Sequence, residues 1–162
     1  MSSSHKEQSH ASYPTQKTNP FNWIAPHLAN DGVSPRFPPR KPELRRPLLW
    51  LVSSNNQAWL VNLCKHNLPV VTASRSGFGG GDESPCGYAS SEDWVYHNVP
   101  PQHCVLVDEW DEVTASDFYL HCMLSVMVPE YGELSFRAGS SSKGHIDTQV
   151  LFWDSGEKGV RV

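Results

Sequence analysis

Residues 47–66 read PLLWLVSSNNQAWLVNLCKH, and the fold turns on how this stretch is divided. Leu48-Leu49-Trp50-Leu51-Val52 is a short apolar run ending in Ser53-Ser54-Asn55-Asn56, the pattern of a buried strand that runs into a turn. In the second half, Trp59 stands four residues before Leu63, and Leu60 four before Cys64. That spacing predicts a helix over 57–66, with Asn55 or Asn56 as its N-cap and Lys65 and His66 near its C-terminus. Leu68-Pro69-Val70-Val71-Thr72-Ala73 then returns to strand character. Strand, helix and strand in this order make a βαβ unit, which favours a mostly parallel sheet.

Toward the C-terminus, Ser76-Gly77-Phe78-Gly79-Gly80-Gly81-Asp82 is glycine-rich but has no Lys after it and no helix to open. It reads as a flexible loop and not as a phosphate cradle. Cys104-Val105-Leu106-Val107 is an apolar run capped by two carboxylates, Asp108 and Glu109. Residues 117–128 admit two readings. The even positions 120–128 are all apolar, as in a strand, while Ser116 as a cap, Asp117 in the first turn and the stop at Pro129 suit a helix equally. Glu133–Ala138 alternates as a strand does, and Thr148–Trp153 is a last buried strand closed by Asp154-Ser155-Gly156.

The segment before residue 47 has a different texture. Eight of the thirteen prolines fall in residues 1–47, which predicts an extended, disordered arm over 1–46 ahead of a body at 47–162. Phe21, Trp23 and Ile24 are its one apolar cluster, able to pin a turn of it to the body. Residues 1–47 carry seven Lys/Arg against three acidic residues, whereas the rest of the chain carries six against fourteen. A basic arm on an acidic body either binds a polyanion or folds back on its own domain. Pro35-Arg36-Phe37-Pro38-Pro39-Arg40 fits P-x-x-P-x-R, a pattern that would let the arm meet a protein partner of the SH3 kind. The polar first ten residues and the shortness of the 48–52 run exclude a signal peptide and a membrane helix. The expectation is a cytoplasmic protein whose four cysteines are reduced thiols. Cys64 with His66, His103 with Cys104, and His121 with Cys122 lack the usual zinc spacings, so these cysteines read as core filling.

Taken in order, these parts resemble the nucleoside-triphosphatase core of superfamily 3 helicases from picorna-like RNA viruses. The resemblance rests on Asp93-Trp94 with Tyr96, on the Asp108-Glu109 strand end, on Pro129-Glu130-Tyr131 before the Glu133–Ala138 strand, and on Ser142-Lys143-Gly144 leading to Asp147-Thr148-Gln149-Val150. It covers residues 47–156 and implies an α/β, P-loop NTPase-like domain with a mostly parallel sheet, with 117–128 as helix. It also implies ATP and Mg²⁺ as cofactors, with Asp108 and Glu109 as the catalytic carboxylates and Asp108 as the metal ligand. The phosphate loop would lie at Ser53–Leu60, with Ser53 and Asn56 in the loop. However, Trp59 stands where the Lys belongs and Leu60 where the Ser/Thr belongs, so neither the cation nor the Mg²⁺ ligand is present. The implied function is a catalytically degenerate, viral-type RNA helicase/NTPase-like domain. Single-stranded RNA would be met by Arg36, Arg40, Lys41, Arg45 and Arg46 of the arm, or by Lys143. Two other classes compete with it: a non-enzymatic RNA- or protein-binding module, and an all-β, coat-like protein with a basic arm.

Overall fold

The computed structural model describes residues 15–28, 41–79 and 94–159, with 76–79 as backbone only. The architecture is all-β. Among the described residues nine strands follow one another: β1 (Gln16–Thr18), β2 (Pro47–Ser54), β3 (Gln57–Asn62), β4 (Leu68–Gly79), β5 (Trp94–Val99), β6 (His103–Glu109), β7 (Phe118–Val128), β8 (Gly132–Ala138) and β9 (Gln149–Trp153). The one α-helix among the described residues is the single turn α1 (Glu112–Ala115), capped by Asp111 accepting from the Thr114 amide. Five strands form one sheet in the order β1-β6-β3-β2-β9, and four form a second in the order β5-β4-β7-β8. Every pairing between these strands is antiparallel.

This overturns the α/β expectation at its root. Residues 57–62 are strand β3 and not a helix, and Asn55 and Asn56 are the two central residues of a hairpin turn, not an N-cap. Both take a left-handed backbone, φ 52° and 62°, which Asn tolerates and which a two-residue hairpin with the right strand twist demands. Residues 118–128 are strand β7: the apolar even positions are buried and the odd ones lie at the surface. There is no βαβ unit, no parallel pair and no strand-to-helix loop for a phosphate among the described residues. β2, β6 and β9 share the first sheet, while β4 lies in the second.

In the first sheet β6, β3 and β2 lie side by side, and in the second β4, β7 and β8 do. β5 pairs with β4, and β1, from the proline-rich segment, lies at the edge beside β6. Cys122 on β7 is a buried free thiol.

Leu49, Leu51 and Leu60 are fully buried and face the second sheet, where Phe152 beside them meets Phe136 of β8. Full burial of each such side chain contributes about 1.5–3 kcal/mol. The crossover from β3 to β4 is held by Asn62, itself fully buried. Its amide donates to the His66 and Val99 carbonyls, both at 3.0 Å, and its oxygen accepts from the Cys64 amide at 2.8 Å. Because three buried bonds at about 1 kcal/mol each would be lost, Asn62→Ala is expected to cost about 3 kcal/mol. The urea midpoint measures this, and a shift worth under about 0.5 kcal/mol would show that the turn is held by other contacts.

Candidate functional site: the arm and its aromatic seat

The first sheet is buried on both faces. Trp59 stands opposite Val52, and Trp50 opposite Val61, on the face turned away from the second sheet; all four are buried. The arm lies over this face. β1 pairs with β6, the Leu106 amide donates to the Thr15 carbonyl, and the Asn19 amide donates to the Gln102 carbonyl. Tyr96 of β5 ties both layers to the arm: its hydroxyl donates to the Leu106 carbonyl and accepts from the Thr15 amide. Burial, opposed by those hydrogen bonds, pushes this phenol up to about 12.

Two cation–aromatic stacks fasten the arm. Lys17 Nζ sits 4.1 Å above the Trp59 ring and 5.6 Å from Phe21. The Arg45 guanidinium sits 4.1 Å over Trp153, whose other neighbour is Trp23, edge-on at 6.3 Å. Arg45 also pairs with Glu43 at 2.7 Å and with Glu157 at 2.8 Å, and its hydrogen bond to Glu43 holds that carboxyl below its ordinary value. The backbone of Arg46 exchanges two hydrogen bonds with Asp154, one through its carboxylate.

The expected nucleic-acid residues therefore do not act alike. Arg45 is folded back onto the acidic body. Lys41 and Arg46 are exposed beside it, and Arg36 and Arg40, with the P-x-x-P segment, lie outside the described residues. Lys143 is on the turn between β8 and β9, 5.5 Å above Tyr119 of the second sheet, and so belongs to a different surface.

The residues assigned to nucleotide chemistry sit in a hairpin. Ser53 lies near the end of β2, Asn56 is in the turn itself, and Trp59 and Leu60 are buried in β3. The two carboxylates diverge. A bulge in the β3–β6 pairing between Ala58 and Trp59 places Asp108 opposite Ala58, on the inner face. There it is 1% exposed, 3.2 Å from Arg75 Nε of β4, and accepts the Glu109 amide at 2.7 Å. Its second oxygen finds no hydrogen-bond partner among the described residues. Burial pushes Asp108 up to about 7, with Arg75 and the Glu109 amide pulling the other way and the Glu109 charge adding to the rise. Glu109, at the strand end, accepts from Gln57 at 3.0 Å. Sealed between two sheets, Asp108 presents no open face to a nucleotide-bound metal.

Sequence reading missed Lys17, Trp23, Arg75, Tyr96 and Trp153 as parts of a site. Only Trp23 carried a signal, as a member of the arm's apolar cluster. Cys64, Cys104 and Cys122 sit in the core, and among the described residues no three His, Cys, Asp or Glu come together as a metal cluster. No described helix is long and apolar enough to cross a membrane. No family model, curated protein or solved structure matches the chain. With an all-antiparallel sandwich in place of a parallel sheet, the helicase-like and NTPase readings fall. The fold and site define a β-sandwich with a basic arm clamped across one sheet.

Proposed function

We propose that the chain is a non-enzymatic nucleic-acid-binding structural protein, an antiparallel β-sandwich that presents a basic, proline-rich arm as a coat protein does. The observation that carries this reading is the division of labour within the arm. Lys17 and Arg45 clamp it to aromatic rings, while Lys41 and Arg46 stay exposed at the end of the segment that also holds Arg36 and Arg40. A tethered cluster of cations contacts phosphates without reading bases, and each contact releases counterions. Single-stranded RNA is the favoured partner, and a cytoplasmic setting belongs to the same reading, supported by three buried free thiols.

The test keeps the clamp intact. Arg36, Arg40, Lys41 and Arg46 are changed together to Ala in the full chain, and RNA filter binding is measured across salt. Loss of four contacts is expected to weaken binding at least about 10-fold at low salt and to flatten the salt slope by about 2.8. Unchanged affinity, or no RNA binding by the wild type at low salt, overturns the reading.

A further inference from the structure

The two sheets differ in what covers their outer faces. The arm lies on the first, whereas the outer face of the second carries large apolar side chains exposed to about two-fifths: Val95 (42%), Met123 (41%) and Met127 (37%). Exposed methionines are adaptable contact groups. The pattern around them is ordered. Three rows cross β7 and β8: Met123 opposite Arg137, Ser125 opposite Ser135, and Met127 opposite Glu133. The middle row continues through Thr72 to Val95.

Glu133 and Arg137 lie four residues apart on one strand, about 13 Å, too far to pair with each other. Glu133 accepts from Ser125 Oγ at 2.7 Å and Arg137 reaches His121 at 3.4 Å, but among the described residues neither makes an ion pair. A second copy of the same face supplies what each lacks. Let a two-fold axis lie in the plane of the face, along the middle row. Each outer row then meets the opposite outer row of the partner: Arg137 faces Glu133, Met123 faces Met127, and Ser125 and Val95 face their own copies. The face is self-complementary in charge and in shape, as an isologous contact requires.

The second sheet's strands of six, twelve, eleven and seven residues, at about 4.8 Å by 3.3 Å per residue, outline a face of roughly 570 Å². That is near the small end of specific interfaces, which take about 600–1,000 Å² from each partner. We propose that this protein forms a symmetric dimer by stacking the β5-β4-β7-β8 sheet face to face on that of a second copy, with Glu133 and Arg137 paired reciprocally across the two-fold axis. The residues of this contact are distinct from Arg36, Arg40, Lys41 and Arg46, although Arg137 lines one cavity with Trp23, Pro26 and Glu43 of the arm.

Charge exchange tests it in the full chain by sedimentation equilibrium. Glu133→Arg alone sets like charges against Arg137 of the partner, twice per dimer, and Arg137→Glu alone does the same against Glu133. Each is expected to raise the dimer dissociation constant about 10- to 100-fold. The double exchange Glu133→Arg with Arg137→Glu is expected to return it to within about 3-fold of the wild type. Restoration also shows that the single variants had not merely failed to fold. A wild type that is monomeric at about 100 μM, or a double exchange no better than the single ones, overturns the proposal.

Discussion

Deletion of residues 1–28 is expected to leave a body that does not fold to a soluble state. The segment removed carries β1, the Lys17 stack on Trp59, the Thr15 contacts to Tyr96 and β6, and the half-buried Phe21 and Trp23. Full burial makes a Phe or Trp worth about 3–5 kcal/mol on truncation to Ala, so two half-buried ones account for about 4 kcal/mol. The lost edge pairing adds to that sum, which reaches the lower end of the 5–15 kcal/mol typical of a whole domain. The surface left bare would hold Trp59, part of Trp153 and the open edge of β6, a template for aggregation. Soluble yield and the urea midpoint report the outcome. A truncated body with the midpoint of the full chain would show that the arm is only laid on the sheet. It follows that truncation of the arm tests folding and not RNA binding, which is why point changes at Arg36, Arg40, Lys41 and Arg46 are the proper probe.

The second large effect is on stability against pH. Asp108 is raised to about 7 in the folded protein from an ordinary value of 3.8, chiefly by burial. A carboxyl whose folded value lies above its unfolded one favours folding while protonated. Its contribution is complete below about 4 and is lost as pH rises through about 7. The difference corresponds to about 4 kcal/mol, an upper figure, between the two ends of that window. The groups facing Asp108 are the Arg75 guanidinium on β4, the Cys122 thiol on β7 and the neighbouring Glu109. The informative quantity is the difference between wild type and Asp108→Asn, in which contributions common to both proteins cancel. Near pH 4 the two are expected to agree within about 1 kcal/mol. At pH 8 the substituted protein is expected to be more stable by roughly 2–4 kcal/mol, read from urea midpoints. A difference that stays constant across this window, or reverses, would mean that Asp108 ionises as freely folded as unfolded.

Much of the sheet content was legible as strand, and the reasons for the failures are physical. Glu133–Ala138 alternates because β8 has a surface face, and that strand read correctly. β3 did not, because the arm and the second sheet bury it on both sides. Its Ala-Trp-Leu-Val run is apolar throughout, and a continuous run of that length has no period to separate strand from helix. The deciding signal was Asn55-Asn56 between two apolar runs, residues that accept the left-handed backbone of a hairpin but also cap helices. In β7 the alternation was visible at positions 120–128, and the resemblance to a helicase outweighed it. The candidate site was less legible still. Asp108 was readable as a carboxylate at a strand end, but the bulge that turns it inward depends on the pairing with β3. The clamps join residues far apart in the chain, such as Arg45 with Trp153, and nothing local marks either member.

The position of β9 has a consequence for synthesis on the ribosome. It pairs with β2, so the edge begun at Pro47 stays open until Trp153 has been made. At about 5–20 residues per second, the intervening hundred or so residues take roughly 5–20 s. Throughout that interval a row of amides and carbonyls beside Trp50 and Leu51 has no strand of its own chain to meet. The nascent polypeptide thus passes through a stage at which a neighbouring copy on the same message can pair with it as readily as its own C-terminal strand. Slower translation lengthens that exposure, and yield in a cell should depend on codon speed between β2 and β9 more than on the stability of the finished protein.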